Sequence, residues 1–356
     1  MDAEQRMISY LKRIATGPER SRDISREEAH DGMSLILNRQ VSDVQAGVFL
    51  VALRMKRETD DENKGILDAL REETLFAPVP IPELADIADP YDGFKRHIPV
   101  SSFLPPLLAA CGLPAIVHGC HLVGPKFGVT HQQIFKKAGI PTALTPLEAA
   151  SRVADPAIGW AYLDQSVFCP PLHQLVELRR LIVKRPSLAT LEKMCGPVRA
   201  GKNHLMIGYV HPGYETQIPV AARHAGFDSC LTVRGVEGGI LCHMNRVTPA
   251  SLYVGRGEIR SLSLDPSELG LSNPLPRASE IAAENDLHHL SKAAAEIGIA
   301  GLTDIASPVR DSLLFSAAAL LYGIGRYKSL RDAGEAVYAK LVSGEAKKRF
   351  ERGKAL

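Results

Sequence analysis

"LADIADPYDGFKRHIPVSSFLPPLLAACGLPAIVHG", Leu84–Gly119, is the stretch that decides the fold class of this chain. The short apolar run Leu84–Ile87 reads as a strand, Ser101–Gly112 as a helix ended by its glycine, and Pro114–Gly119 as a second strand. A strand, a helix and a strand of these lengths form a βαβ unit, which implies a parallel sheet covered on both faces. Between the first strand and the helix, Ala88–Ser101 has the outline of a phosphate-binding turn: an abrupt loop carrying Asp92-Gly93, then a helix opening near Ser101. Such turns usually hold several glycines, because backbone N–H groups must come close to phosphate oxygens. This one holds Pro90, Tyr91, Phe94, Lys95 and Arg96 instead.

Outward from that stretch the same alternation continues. "THQQIFKKAG" (Thr130–Gly139) reads as a helix and "GWAYLD" (Gly159–Asp164) as a strand, followed by "HLMIGYV" (His204–Val210), "VAARHAG" (Val220–Gly226) and "SCLTVRG" (Ser229–Gly235). "SLYVGRGEIRSLSL" (Ser251–Leu264) has the pattern of a hairpin-like β insertion, and from Ser279 onward the chain is helical. Upstream, roughly the first 70 residues are helical, and three helix starts carry capping boxes: Ser25 with Glu28, Ser42 with Gln45, and Thr59 with Glu62. The helix that follows Ser42 has an apolar surface of Val44, Val48, Val51, Phe49 and Leu53, broad enough to pack on two sides. A Pro-rich linker, "APVPIPE" (Ala77–Glu83), separates the two regions. The expected organisation is α/β: a small helical N-terminal domain over 1–76, with about 165–190 packing on it, and a large α/β domain over 77–356 with a mostly parallel central sheet.

Composition bounds the function. The 356 residues are 45% hydrophobic and 23% charged, as in a globular protein with an ample core, and the net charge of +2 does not announce a nucleic-acid binder. Basic residues gather locally at Arg54, Lys56 and Arg57, at Arg179, Arg180, Lys184 and Arg185, and near the C-terminus at Lys347–Lys354, as on solvated helix faces or a basic tail. No apolar run reaches the roughly 18 residues needed to span a bilayer, so no membrane partner is expected. Six scattered cysteines and a charged N-terminus without a signal core give a cytoplasmic expectation. "HGCH" groups His118, Cys120 and His121, but the spacing is too compressed for a zinc site, and nothing marks a base beside Cys120.

Taken in order, these landmarks resemble the anthranilate phosphoribosyltransferase family, also called glycosyltransferase family 3, whose fold is shared with pyrimidine nucleoside phosphorylases. "ISREEAHDGMSLILNRQVSDVQAGVFLVALRMKRET" is similar to the family's N-terminal helical segment, "VHG" with "PKFG" to its HGN…SKSG loop, and "LSLDPSELGL" and "AGEAVYAKLVSGEAKKRFERG" to its closing segments. The resemblance implies the family's fold, a nucleoside phosphorylase/phosphoribosyltransferase-like α/β domain, and a homodimer formed through the N-terminal helices. It also marks residues that correspond to the family's ligand positions. Where the family's GTGGDG turn holds pyrophosphate, this chain keeps only Asp92 and Gly93; Ala88, Pro90 and Tyr91 stand at glycine positions. Pro90 has no N–H to donate, and the added Cβ atoms block close backbone approach. Of the N-x-S-T segment a hydroxyl remains at Ser101; of the second loop, His118, Gly119, Lys126 and Gly128 remain, with Cys120 in place of an asparagine. Arg179 and Arg185 lie near the position of an anthranilate-contacting arginine, without the family's Phe-Asn before Gly196-Pro197.

The departures are largest at the metal. The family's DGLDE segment carries Mg²⁺ with the pyrophosphate, whereas here Glu237-Gly238 stand for its first two residues and Ile240-Leu241 for the Asp-Glu pair. Mg²⁺ needs hard oxygen ligands, and aliphatic side chains offer none. The sequence therefore implies no metal site and no cofactor, Mg²⁺ returning only if the enzyme survives. The expected protein is anthranilate phosphoribosyltransferase-like but not the standard enzyme. Its anion cleft is rebuilt from Asp92, Gly93, Lys95, Arg96, Ser101, Lys126 and their neighbours, and its ligand bears phosphate: a nucleotide, a phosphosugar or single-stranded nucleic acid. The alternative is an active phosphoribosyltransferase or other glycosyltransferase acting on an aromatic acceptor such as anthranilate.

Overall fold

The computed structural model of the chain describes residues 2–17, 19–283 and 286–355. Four helices come first: α1 (Ala3–Ile14), α2 (Arg26–Leu37), α3 (Asp43–Lys56) and α4 (Asp60–Glu72). All three expected capping boxes are present at α2, α3 and α4, each side chain accepting from the backbone three residues on while the Glu or Gln reaches back. The bundle core is built from α3's inner face, Ala46, Phe49, Leu50 and Leu53, against Met33 and Ile36 of α2 and Ile66 and Leu70 of α4. The outer face of α3 is bare: Val44 is 76% and Met55 74% exposed, and Val48 is exposed too.

The α/β domain runs β1 (Glu83–Ala88), α5 (Leu104–Ala110), β2 (Ala115–Gly119), α6 (His131–Ala138), α7 (Pro146–Ala154), β3 (Trp160–Asp164), α8 (Val176–Ile182), β4 (Lys202–Gly208), α9 (Tyr214–His224), β5 (Ser229–Val233), β6 (Thr248–Val254) and β7 (Arg260–Leu264). Four helices close it: α10 (Leu287–Ala300), α11 (Pro308–Gly323), α12 (Leu330–Val342) and α13 (Glu345–Arg352). The seven strands lie in the order β3-β2-β1-β4-β5-β6-β7. The first five are parallel, β6 pairs antiparallel with β5, and β7 pairs antiparallel with β6. The expected β insertion at Ser251–Leu264 is thus no appendage: it is the edge of the main sheet, because Tyr253 and Leu252 pair with Cys230 and Leu231 of β5.

Side chains along the parallel strands alternate between two cores. Leu84, Ile116, Leu163, Leu205 and Ile207 face the bundle side, and Ala85, Ile87, Val117, Tyr162 and Met206 face the C-terminal helices. On that second side α11 is buried nearly all round, which explains its uniformly apolar sequence. Segment 165–190 returns to the bundle, where α8 lies against α3: a Cβ added at Gly47 would sit 3.2 Å from Ile182 and 3.7 Å from Leu178. No helix among the described residues is long and apolar enough to cross a membrane.

A cleft at the switch point of the sheet

The strand order reverses between β1 and β4. In open α/β sheets, ligands bind in the crevice beyond the carboxyl ends of the strands at such a reversal. Here the crevice is a cavity of about 210 Å³, with Pro90, Tyr91 and Asp92 from the end of β1, Gly208, Tyr209, Val210 and His211 from the end of β4, and Arg54 reaching in from α3 of the bundle. Arg179, Arg185, Glu192, Lys193 and Tyr214 also line it. Sheet topology thus brings Asp92 and Arg185 to the cleft, while the bundle supplies a cation that no motif points to.

The protein's own carboxylates already grip several of these cations. Arg179 and Glu192, both buried, form a two-pronged ion pair with N–O distances of 2.7 and 2.8 Å. Gln165 adds a third hydrogen bond to the same carboxylate at 2.9 Å. Arg179 is therefore not a free receptor for a ligand's acid group: Glu192 fills that place. Arg185 donates to Asp92, its guanidinium half-exposed at the cleft mouth and Asp92 buried. Lys193 is buried and donates to the Gly208 carbonyl at 2.8 Å. Desolvation pulls its amine down to about 8 against the attraction of Asp89, with Arg185 adding to the depression.

Beyond Asp92 the turn is not the open cradle of side-chain cations that the sequence suggests. Glu237 accepts hydrogen bonds from the backbone N–H groups of Lys95 (2.8 Å), Arg96 (2.9 Å) and His97 (3.2 Å), so these residues engage the anion through main chain. Lys126 Nζ lies 3.4 Å from the same carboxylate and donates to the Gly93 carbonyl at 2.7 Å. The Lys95 and Arg96 side chains line a separate cavity, with His97 and Arg277. Burial would raise the Glu237 carboxyl, but the His97 hydrogen bond, the Lys126 charge and the backbone donors outweigh it and hold it at about 2. Gly93 and Gly128 serve the backbone: Gly93 has φ +74°, and a Cβ at Gly128 would lie 2.5 Å from the Phe94 backbone, where Phe94 and Val129 pair.

The remaining expected ligand residues point inward. His118 is fully buried; its Nε2 donates to Asp86 at 2.8 Å, and its Nδ1 is hydrogen-bonded to the Tyr91 hydroxyl, which also reaches the Glu192 carbonyl at 3.3 Å. Ser101 is buried at the opening of a 3₁₀ turn and does not line the cleft. Gly119 ends β2 under Tyr162. Below them runs a closed chain in which Ser102 Oγ and His131 Nδ1 are 2.7 Å apart and His131 Nε2 lies 3.3 Å from Asp89.

The residues do not fit magnesium. Both Glu237 oxygens are taken by backbone donors, and Ile240 and Leu241 are buried apolar groups, the Ile240 N–H donating to Asp89 at 2.8 Å. Among the described residues no group of three or more His, Cys, Asp or Glu side chains is placed to hold a metal ion. Sequence reasoning missed Arg54, Lys193 and His211 in the cleft wall and Glu192 and Glu237 as internal partners. For Glu237 alone there was a signal, a lone carboxylate kept where a metal segment had otherwise become aliphatic.

Residues 8–74 match the glycosyl transferase family, helical bundle domain, and residues 92–347 the glycosyl transferase family, a/b domain. The chain is 28% identical over 290 residues to an uncharacterized protein of Aquifex aeolicus, covering 81% of this chain and 84% of that one. It is 26% identical over 350 residues to an anthranilate phosphoribosyltransferase of Rhodopseudomonas palustris, covering 97% and 96%. In structure it is similar to anthranilate phosphoribosyltransferase from Thermus thermophilus, with TM-score 0.77, 21% identity and coverage of 99% and 98%. The yeast enzyme in complex with PRPP and Mg aligns with TM-score 0.74 at 16% identity, covering 97% and 96%. At these identities the two structures establish the fold.

Proposed function

The chain belongs to the glycosyl transferase family that joins a helical bundle to an a/b domain, and within it we propose a protein that binds a phosphate-bearing ligand in the switch-point cleft without magnesium, not a standard anthranilate phosphoribosyltransferase. One observation carries this reading. The cleft wall is lined by Arg54, Arg185 and Lys193, while the family's metal segment presents a carboxylate already saturated by backbone donors and two buried aliphatic side chains. Arginine grips phosphate through paired N–H groups and needs no metal to do so. The Arg179–Glu192 pair supports the second half of the reading, because an acceptor's carboxylate would have to compete with an internal one at 2.7 Å.

The test is calorimetric titration of the full chain with phosphoribosyl pyrophosphate, a nucleoside monophosphate and single-stranded DNA, each with and without Mg²⁺. Binding of at least one, unchanged by Mg²⁺ and weakened about tenfold or more by Arg185→Ala, is the expected result. The DNA arm is read at two salt concentrations, since a backbone-gripping groove loses affinity steeply with salt. Strict Mg²⁺ dependence together with turnover of anthranilate would establish the active transferase instead.

The apolar groove along α3 supports a homodimer. Val44, Val48 and Met55 with Leu181 and Val183 leave an exposed apolar strip on the bundle, and a second copy is the occupant this reading assigns to it. Light scattering should give a dimer that Val44→Asp with Val48→Glu converts to a monomer; a monomeric wild type at micromolar concentration would refute it. All six cysteines are free thiols, which supports a cytoplasmic location.

A further inference from the structure

Three consecutive backbone N–H groups converging on one carboxylate, with an ammonium beside it, make a complete oxyanion site whose occupant is part of the chain. We propose that Lys95 N, Arg96 N, His97 N and Lys126 Nζ form a phosphate-accepting cradle that Glu237 fills as a built-in competitor, and that a ligand's oxyanion enters by displacing the Glu237 side chain. The proposal rests on the cleft reading above, since it places the entering group on the same molecule.

Geometry carries it. The donors lie 2.8, 2.9, 3.2 and 3.4 Å from the two Glu237 oxygens, the spacing a phosphate's oxygens would take. A run of backbone N–H groups aimed at one point is the arrangement that binds anions in loops generally. The site also stands between two spaces. Pro125, next to Lys126 in the chain, and Gly238, next to Glu237, line the cleft, while Lys95, Arg96 and His97 line the outer cavity of about 650 Å³. The Glu237 backbone is held in the left-handed region at φ 56°, ψ 21°, which disfavours a residue with a Cβ, and the side chain is 6% exposed. The Glu237 carboxyl, held at about 2, stays charged at neutral pH and so competes at full strength.

The test uses inorganic phosphate on the full chain at constant ionic strength, with amide NMR as the positional readout. Glu237→Ala should bind phosphate at least tenfold more tightly than wild type, with the Lys95, Arg96 and His97 amide resonances shifting on addition. Adding Lys126→Ala should remove most of that gain. Glu237→Gln, which keeps the size and one acceptor oxygen, should show the same direction and decides the matter if the alanine variant is misfolded. Equal affinity across wild type and the Glu237 variants, or a gain without those amide shifts, overturns the proposal. Arg185→Ala in the wild type separates the two ideas. If it abolishes phosphate binding while the Glu237 variants change nothing, the cleft reading stands and the competitor does not. If it changes nothing while the Glu237 variants gain, the competitor stands and the cleft reading fails.

Discussion

Removing Glu192 should expose how strongly the cleft depends on its internal counter-ions. Its carboxylate takes both terminal nitrogens of Arg179 at 2.7 and 2.8 Å and the Gln165 amide at 2.9 Å, with Arg179 and Glu192 2% and 1% exposed. An arginine does not escape burial by losing its proton, so Glu192→Ala leaves a full charge in the interior. Breaking a buried pair from one side costs about 3–5 kcal/mol. For 356 residues with an unfolding entropy of roughly 2.1 cal/mol/K each, that loss lowers Tm by about 4–7 °C. The vacated place is shaped for a carboxylate, so acetate or benzoate should recover part of the loss, whereas chloride at the same ionic strength should not. The double variant Arg179→Met with Glu192→Leu should lie much closer to wild type, because no unpaired charge remains. Calorimetry in the two salts measures all of this. A Tm within 1 °C of wild type for Glu192→Ala, or equal recovery by chloride, would refute the reasoning.

Lys193 should make anion binding in the cleft fall between pH 7 and 9. Its amine sits at about 8 in the folded chain, through burial opposed by Asp89 and reinforced by Arg185, against roughly 10.4 when unfolded. The same shift favours the folded state above the unfolded value, and that contribution is lost as pH falls through 8. Lys193→Arg, which keeps its charge throughout, should flatten the pH profile of phosphate affinity in titration calorimetry; an unchanged slope would rule Lys193 out as its source. Asp92→Asn should loosen the hold on Arg185 and tighten phosphate binding by about threefold to tenfold, the range of roughly 0.7–1.4 kcal/mol. Gly128→Ala should destabilise by about 1–3 kcal/mol or more, since its Cβ meets the Phe94 backbone at 2.5 Å and the two loops there are paired; urea unfolding at or near the wild-type midpoint would contradict that.

What lies close together in the chain was legible from the sequence. Capping boxes at Ser25, Ser42 and Thr59 mark helix starts through contacts three residues long, and Gly112 and Gly139 mark helix ends through their own positive φ. Alternating strands and helices from Leu84 onward required a parallel sheet, and the sheet is there. The hairpin at Ser251–Leu264 was visible as a hairpin, but whether it joined the sheet depended on what its first strand paired with, which no local pattern states. Which side of α3 packs inward was not legible for a similar reason: the apolar residues were plain, while the side each one faces depends on where the neighbouring helices pack.

By itself, then, the sequence determined most of the helices and strands of the main sheet, the two-part organisation and the loss of oxygen ligands at Ile240 and Leu241, because each follows from residue type and short-range geometry. Only the tertiary structure decided which charges are available to a ligand. Glu237 meets the backbone N–H groups of Lys95, Arg96 and His97 across about 140 positions and Asp92 meets Arg185 across 93, so composition counts these carboxylates without revealing what they hold. A buried charge must find a partner of opposite sign, and the fold, by bringing the ends of β1 and β4 together beside α3, chose the partner in each case.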